Sequence, residues 1–285
     1  MTTQQRTYAE HATQTAQSYY NSSDADNFYY HVWGGEDIHI GWYNTPDEPI
    51  APASRRTVEK MAKTASGLRQ DWNVLDLGAG YGGSCRYLAK TYGCRCVALN
   101  LSEVENRRDR EKNREQGLDE RIDVVDASFE EVPAEDNTFD LVWSQDAFLH
   151  SGRRAEIVTE IRRVLKPGGQ VVFTDPMRTD DCPDGVLDPI LARLNLEDLA
   201  CPAFYREQFS INGFEELGFD EHPELLVQHY QRVLDETVLR HERGELEGKV
   251  GDEYIERMQK GLRHWVNGGR NGYLTWGIFH FGTAR

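Results

Sequence analysis

Between residues 73 and 174 short apolar runs alternate with helix-forming stretches, and this alternation restricts the fold more than any other feature of the chain. Residues 73–77 are a brief apolar run that passes directly into a glycine-rich turn. Residues 84–90 read as a helix and 95–101 as a second strand. Residues 104–116 read as a charged helix closed by Gly117, where a helix C-terminus favours glycine. A third strand falls at 122–125 and a fourth at 139–144. Across 154–165, Ile157, Ile161, Val164 and Leu165 share one helical face. That helix must stop at Lys166-Pro167-Gly168-Gly169, and 170–174 is a fifth strand. Strands separated by helices in this way imply a parallel sheet with helices on both faces.

The flanks read differently. Residues 1–50 are rich in Tyr, Gln, Asn and Asp, with an aromatic cluster between Tyr29 and Tyr43. Residues 54–66 predict a helix, because Val58, Met61, Ala62 and Ala65 recur at three- and four-residue steps. After Asp175 the pattern changes: 186–200 and 228–267 look helical, 219–227 partly extended, and 273–282 a closing edge strand.

Hydrophobic residues make up 39% of the 285 and aromatics 11%, enough for a packed core. Acids outnumber bases 48 to 32, for a formal charge of −16. That balance argues against a nucleic-acid or anionic-membrane partner, which needs clustered Lys and Arg. It suits a soluble surface, and equally one adapted to high salt, where repulsion is screened. No apolar run is long enough to span a bilayer, and the polar start of the chain lacks the features of a secretory signal, so a cytoplasmic protein is expected. The five cysteines, Cys85, Cys94, Cys96, Cys182 and Cys201, contain no CxxC pair, so neither a disulfide framework nor a metal site is indicated. Nothing in the sequence excludes a homo-oligomer.

The segment Asp76-Leu77-Gly78-Ala79-Gly80 is chemically specific. A glycine turn after a strand also serves nicotinamide and flavin sites, but these bind a pyrophosphate, and Asp76 would repel it. The acid suits S-adenosylmethionine, which brings a cationic amino group and a sulfonium. Gly78 and Gly80 let the backbone approach it closely. The other strand ends add groups in order. Asn100-Leu101 ends strand two, where ribose hydroxyls usually meet a doubly wound sheet. Asp126-Ala127-Ser128-Phe129 ends strand three, with an acceptor for the adenine amine and a ring to flank it. Ser144, Gln145 and Asp146 end strand four, at the mouth where open α/β sheets bind ligands.

On these residues the chain resembles the class I S-adenosylmethionine-dependent methyltransferases. Asp76-Leu77-Gly78-Ala79-Gly80 looks like their first motif, and Lys166-Pro167-Gly168-Gly169 like their lead into strand five. The implied fold is α/β: a doubly wound, mostly parallel seven-stranded sheet with a helical lid inserted after strand five. Residues 1–50 would form a cap, 51–180 the cofactor core, and 181–285 the lid with the last strands. A narrower likeness covers nearly the whole chain. Residues 28–39 (FYYHVWGGEDIH), 143–150 (WSQDAFLH), Asp175-Pro176-Met177 and Gly268-Gly269-Arg270 resemble sarcosine/dimethylglycine N-methyltransferases, the glycine-betaine-forming enzymes of salt-tolerant organisms. The resemblance implies methylation of sarcosine to dimethylglycine and of dimethylglycine to betaine, an osmoprotectant. Alternatives of the same fold are a methyltransferase acting on another small amine, such as phosphoethanolamine, or on a lipid.

Methyl transfer to an amine is an in-line displacement that needs alignment and exclusion of water, and a base only to take the ammonium proton. His150 and Asp146 are the candidates for that proton. An amino-acid acceptor also needs a cation for its carboxylate and aromatic faces for a nitrogen that becomes cationic. Arg206, beside Tyr205, is the first choice for the cation, with Arg178 and Arg270 as rivals. Tyr29, Tyr30 and Trp33 either close over the cofactor or line the cage. Trp33 is assigned to the cofactor and the two tyrosines to the substrate, with Gln145 and Tyr230 beside them.

Overall fold

A computed structural model of the chain describes residues 15, 17, 18, 20–194 and 196–284. Its frame is a seven-stranded sheet in the order β3-β2-β1-β4-β5-β9-β7. The first five strands are β1 (Asn73–Leu77), β2 (Arg95–Asn100), β3 (Ile122–Asp126), β4 (Phe139–Gln145) and β5 (Leu165–Thr174). All pair in parallel. β7 (Phe214–Glu221) and β9 (Gly277–Thr283) add an antiparallel edge, and β6 (Met177–Arg178) pairs with β8 (Leu274–Thr275) as a separate ribbon. Chain order reverses at β1, so the carboxyl ends of β1 and β4 open a crevice there.

The period-two pattern of the strands divides the core. Leu75, Leu77, Val142 and Phe173 face α5 (Arg154–Val164) and α7 (Pro202–Ile211), burying Ile157, Ile161 and Phe209. Val74, Ala98, Trp143 and Val172 face the other way, onto Val58 and Met61 of α2 (Ile50–Thr64) and Leu88 of α3 (Gly83–Tyr92). Ahead of these, α1 (Ser23–Phe28) runs into a single π turn, Tyr29–Trp33. α4 (Glu103–Glu115) follows β2 and is capped by the Ser102 hydroxyl, which accepts from the Glu105 N–H. α6 (Asp188–Leu194), α8 (Pro223–Glu242) and α9 (Asp252–Arg270) form the layer above the crevice. Among the described residues no helix is long and apolar enough to cross a membrane.

Several expectations need correction. The β3–β4 connection has no helix; its acid-rich residues 127–138 run as turns. Lys166–Gly169 does not precede β5 but lies within it as a bulge, so that Phe139 pairs with Leu165 and Leu141 with Gln170. The helix expected over 186–200 is only α6, and the helical stretch 228–267 is α8 and α9 with a break at 243–251. Residues 202–211 form a helix not foreseen, and Val227 belongs to α8 rather than to an extended segment. The closing strand is not at the edge. β9 lies between β5 and β7, and the edge is β7, which exposes four acids, Glu215, Glu216, Asp220 and Glu221, together with Leu217. All five cysteines are free thiols, four of them buried.

Candidate active site

Two cavities meet over the carboxyl ends of β1 and β4. The first, about 700 Å³, is lined by Gly78, Gly80, Asn100, Ser128, Phe129 and Gln145. The second, about 590 Å³, has walls of Tyr29, Trp33, Tyr230 and Trp265. Tyr20, Ile38, Asp146 and His150 line both. A smaller recess of about 290 Å³ beside the glycine turn is walled by Asp37, His39, Asp76, Ala79, Ser84 and Gln145.

The turn itself is bound to β2: the N–H groups of Gly78 and Ala79 both donate to the Leu99 carbonyl, at 2.8 and 3.1 Å. Gly78 stands at φ +77°, and a Cβ there would lie 2.5 Å from the Cβ of Ala147, closing the floor of the first cavity. The recess holds polar atoms without hydrogen-bond partners among the described residues: Asp37 Oδ1, His39 Nε2 and Gln145 Nε2. Buried groups of both kinds in one pocket, a carboxylate oxygen and an amide donor, match a zwitterionic amino-acid head such as the methionyl end of S-adenosylmethionine. Asp76 adds a second acid. Burial pushes its carboxyl up to about 8, while the Cys85 thiol, donating at 3.6 Å, works against the rise.

At the end of β2 Asn100 donates through Nδ2 to Glu105 Oε2 at 2.9 Å, and the other oxygen of that buried carboxylate has no hydrogen-bond partner among the described residues. Glu105 was not foreseen. Burial raises it to about 7. Its sequence signal was weak, since an acid in the first turn of a helix is explained by the helix dipole alone. Leu101, Ser128 and Phe129 line the cleft as expected. Asp126 and Ala127 do not. Asp126 is held by Arg110 and by Asn106, which donates at 2.7 Å. Ser144 is fully buried with its hydroxyl on the Leu77 carbonyl at 2.7 Å, fastening β4 to β1.

The two residues expected to handle the amine's proton both stand at the junction, each with hydrogen-bond partners of its own. Asp146 has φ +51°, unusual for a non-glycine residue, and its carboxylate receives three hydrogen bonds. The donors are the Ile40 N–H at 2.7 Å, the Thr174 hydroxyl at 2.8 Å and the Trp276 indole at 2.8 Å. It ties the cap, β5 and the last strands together at the crevice. His150 is pushed down to about 4 by burial, with the charges of Arg154 and Arg193 adding to the fall. Its uncharged ring shares a 3.0 Å hydrogen bond with the Tyr20 hydroxyl.

Tyr29 and Tyr230 line the second cavity as expected, and Tyr230 stacks on Trp265 at 4.9 Å. Trp33 lies in that same wall, not over the cofactor cleft. Tyr30 is outside, with the Arg108 guanidinium 4.6 Å over its ring. Tyr205 is buried in the core and donates to Asp175 at 2.7 Å. None of the three arginines is in the described lining of the two cavities or the recess. Arg206 pairs with Glu216 at 2.9 Å and lies over Phe219 on the outer sheet edge. Arg270 donates to Gln231 at 3.2 Å, and Arg178 to the Thr179 carbonyl at 3.4 Å. Instead, among the described lining residues, the second cavity has one Arg or Lys, Arg193 of α6.

The acid near the end of β1 and the glycine turn after it, with a second cavity above the same strand ends, belong to an S-adenosylmethionine-dependent methyltransferase, and residues 75–173 match the family described as methyltransferase domain. The chain is 60% identical over 274 residues to the sarcosine/dimethylglycine N-methyltransferase of Halorhodospira halochloris, covering 96% of this chain and 98% of that one. It is 50% identical over 275 residues to the enzyme of the same name from Aphanothece halophytica, covering 96% and 99%. A crystal structure from Galdieria sulphuraria, provisionally assigned as a sarcosine dimethylglycine methyltransferase, superimposes with a TM-score of 0.86 at 41% identity, over 92% of this chain and 98% of that one. The chain belongs to the sarcosine/dimethylglycine N-methyltransferase family.

Proposed function

We propose that the chain methylates the nitrogen of sarcosine to give dimethylglycine, and that of dimethylglycine to give glycine betaine. The observation that carries this reading is the junction at Tyr20, Ile38, Asp146 and His150, where a cleft suited to a nucleoside with an amino-acid head meets an aromatic chamber with one Arg or Lys among its described lining residues. Bound S-adenosylmethionine supplies a methyl group already activated on a sulfonium. The main chain of Gly78–Gly80, with Asp76, Asp37 and Gln145, would hold its methionyl end; Asn100, Leu101 and Glu105 its ribose; Ser128 and Phe129 its base. The faces of Tyr29, Trp33, Tyr230 and Trp265 favour a nitrogen whose positive charge becomes permanent as the methyl arrives. His150, uncharged at neutral pH, adds no repulsion there and holds Tyr20 at the junction. Residues 51–180 then serve as the cofactor core, 181–285 as lid and last strands, and 1–50 as a cap that contributes Tyr20, Tyr29 and Trp33. We place the enzyme in the cytoplasm, with a small amino acid as its partner.

The test is transfer of labelled methyl from S-adenosylmethionine. Label in both dimethylglycine and betaine is expected. Binding of S-adenosylhomocysteine without label in either product would overturn the acceptor and keep the cofactor.

A further inference from the structure

We infer that Arg193, seated across Gly261 of α9, receives the acceptor's carboxylate, and that Gly261 fixes where the guanidinium stands. This rests on reading the second cavity as the amino-acid site. An amino acid methylated at nitrogen keeps a single anionic handle, so its pocket needs one well-placed cation. Apart from Arg193, the charged or titratable residues in the described lining are tyrosines, two histidines and Asp146, whose carboxylate is already bound by three donors. Arg193 is near enough to His150 for its charge to help depress that imidazole.

Its placement depends on one missing side chain. A Cβ on Gly261 would lie 2.4 Å from Arg193 Nε and 2.7 Å from Cζ. The guanidinium therefore crosses α9 where the helix has no Cβ, and its Nη2 reaches Met258 Sδ at 2.8 Å. A thioether is a weak acceptor, so an arriving carboxylate competes for the same donor on favourable terms. Glycine is unfavourable in a helix interior, and the crossing accounts for its presence at 261. A single guanidinium suits a monoanionic carboxylate better than a doubly charged phosphate ester.

The experiment is steady-state kinetics of the full chain with Arg193→Met, Arg193→Lys and Gly261→Ala. The acceptors are dimethylglycine and dimethylaminoethanol, which keeps the tertiary amine and replaces the carboxylate by a hydroxymethyl group. Dimethylaminoethanol is read by turnover or, without turnover, by inhibition. Titration with S-adenosylhomocysteine confirms that each variant is folded. Arg193→Met should raise the KM for dimethylglycine about 30-fold or more, with a smaller fall in kcat, and should leave the response to dimethylaminoethanol within about threefold. Arg193→Lys should recover part of the loss. Gly261→Ala, which favours the helix, should raise that KM about tenfold, and should add nothing in the Arg193→Met background. An unchanged KM in Arg193→Met, or equal losses on both acceptors, overturns the inference. A Gly261→Ala defect that persists without Arg193 overturns the part assigned to Gly261. Wild-type protein inactive on sarcosine and dimethylglycine sinks the underlying reading instead.

Discussion

Binding of the cofactor should be linked to a proton on Asp76. The carboxyl ends β1 beneath the recess, where burial raises it from 3.8 to about 8, Asp109 and Asp37 adding to the rise and the Cys85 thiol opposing it. An ammonium group held beside it favours the charged form. The free protein therefore carries a proton that the complex releases. Affinity should rise with pH up to about 8, where the free carboxyl ionises, and flatten above it. If the bound carboxyl returns to the ordinary range, affinity at pH 6 lies about 100-fold below the plateau, roughly 2.7 kcal/mol. Folding of the free protein runs the opposite way: the raised value gives stability that is complete below the ordinary carboxylate range and is lost as pH rises through about 8. Calorimetric titration with S-adenosylhomocysteine from pH 6 to 9, in two buffers of different ionisation heat, reads both affinity and proton release. The slope should approach one decade per pH unit between about 6 and 8, with nearly one proton released. Asp76→Asn should bind more weakly and abolish the slope. A flat affinity over that range refutes the linkage, and the same slope in Asp76→Asn transfers it to another group, Glu105 first.

Three further substitutions test the placements. Tyr205→Phe removes the donor to buried Asp175 and should cost about 1.5–3 kcal/mol in denaturant unfolding, with the KM for dimethylglycine unchanged; a KM effect without loss of stability would return Tyr205 to the pocket. Arg206→Ala breaks only an edge pair with Glu216 and should leave that KM within about twofold, whereas a tenfold rise would restore the arginine to the site. Tyr20→Phe removes the hydroxyl held by His150 and should lower kcat about tenfold, as expected for one hydrogen bond; full activity would remove Tyr20 from the junction.

The core of the fold was legible because local chemistry and tertiary role coincide there. β1 through β5 each pack an apolar run against helices, and the turn after β1 needs the glycine that the sequence displays. The cofactor cleft was legible for the same reason, since groups at strand ends are carried to one crevice by topology alone. Errors arose where burial, not period, decides. β9 was taken for an edge although Ile278, Phe279 and Phe281 are consecutive or alternate apolar residues buried on both faces, the pattern of an interior strand. Of β7 only the end, 219–221, falls in the segment read as partly extended, because an exposed edge strand carrying Glu215, Glu216, Asp220 and Glu221 reads as a loop, and its charges help keep that edge unpaired.

The second cavity was legible only in Tyr29 and Tyr230, because no local pattern builds it. Tyr29, Arg193, Tyr230 and Trp265 lie on four elements separated by more than two hundred residues of chain, and only packing brings them together. Choosing an arginine by its neighbour favoured Arg206 beside Tyr205, yet Tyr205 spends its hydroxyl on Asp175 in the core. A better signal was present in α9, which carries Gly261 in its interior and Gly268 and Gly269 in its last turn. Each marks a close crossing. At Gly268 a Cβ would meet Leu274 at 3.0 Å, and at Gly269 Val227 at 2.5 Å, so these two set α9 against β8 and α8. At Gly261 the crossing chain is a guanidinium. A glycine that brings apolar chain onto a helix serves packing, whereas one that brings a charge over it, at the wall of an aromatic chamber, is the kind of helix glycine from which a binding site can be argued.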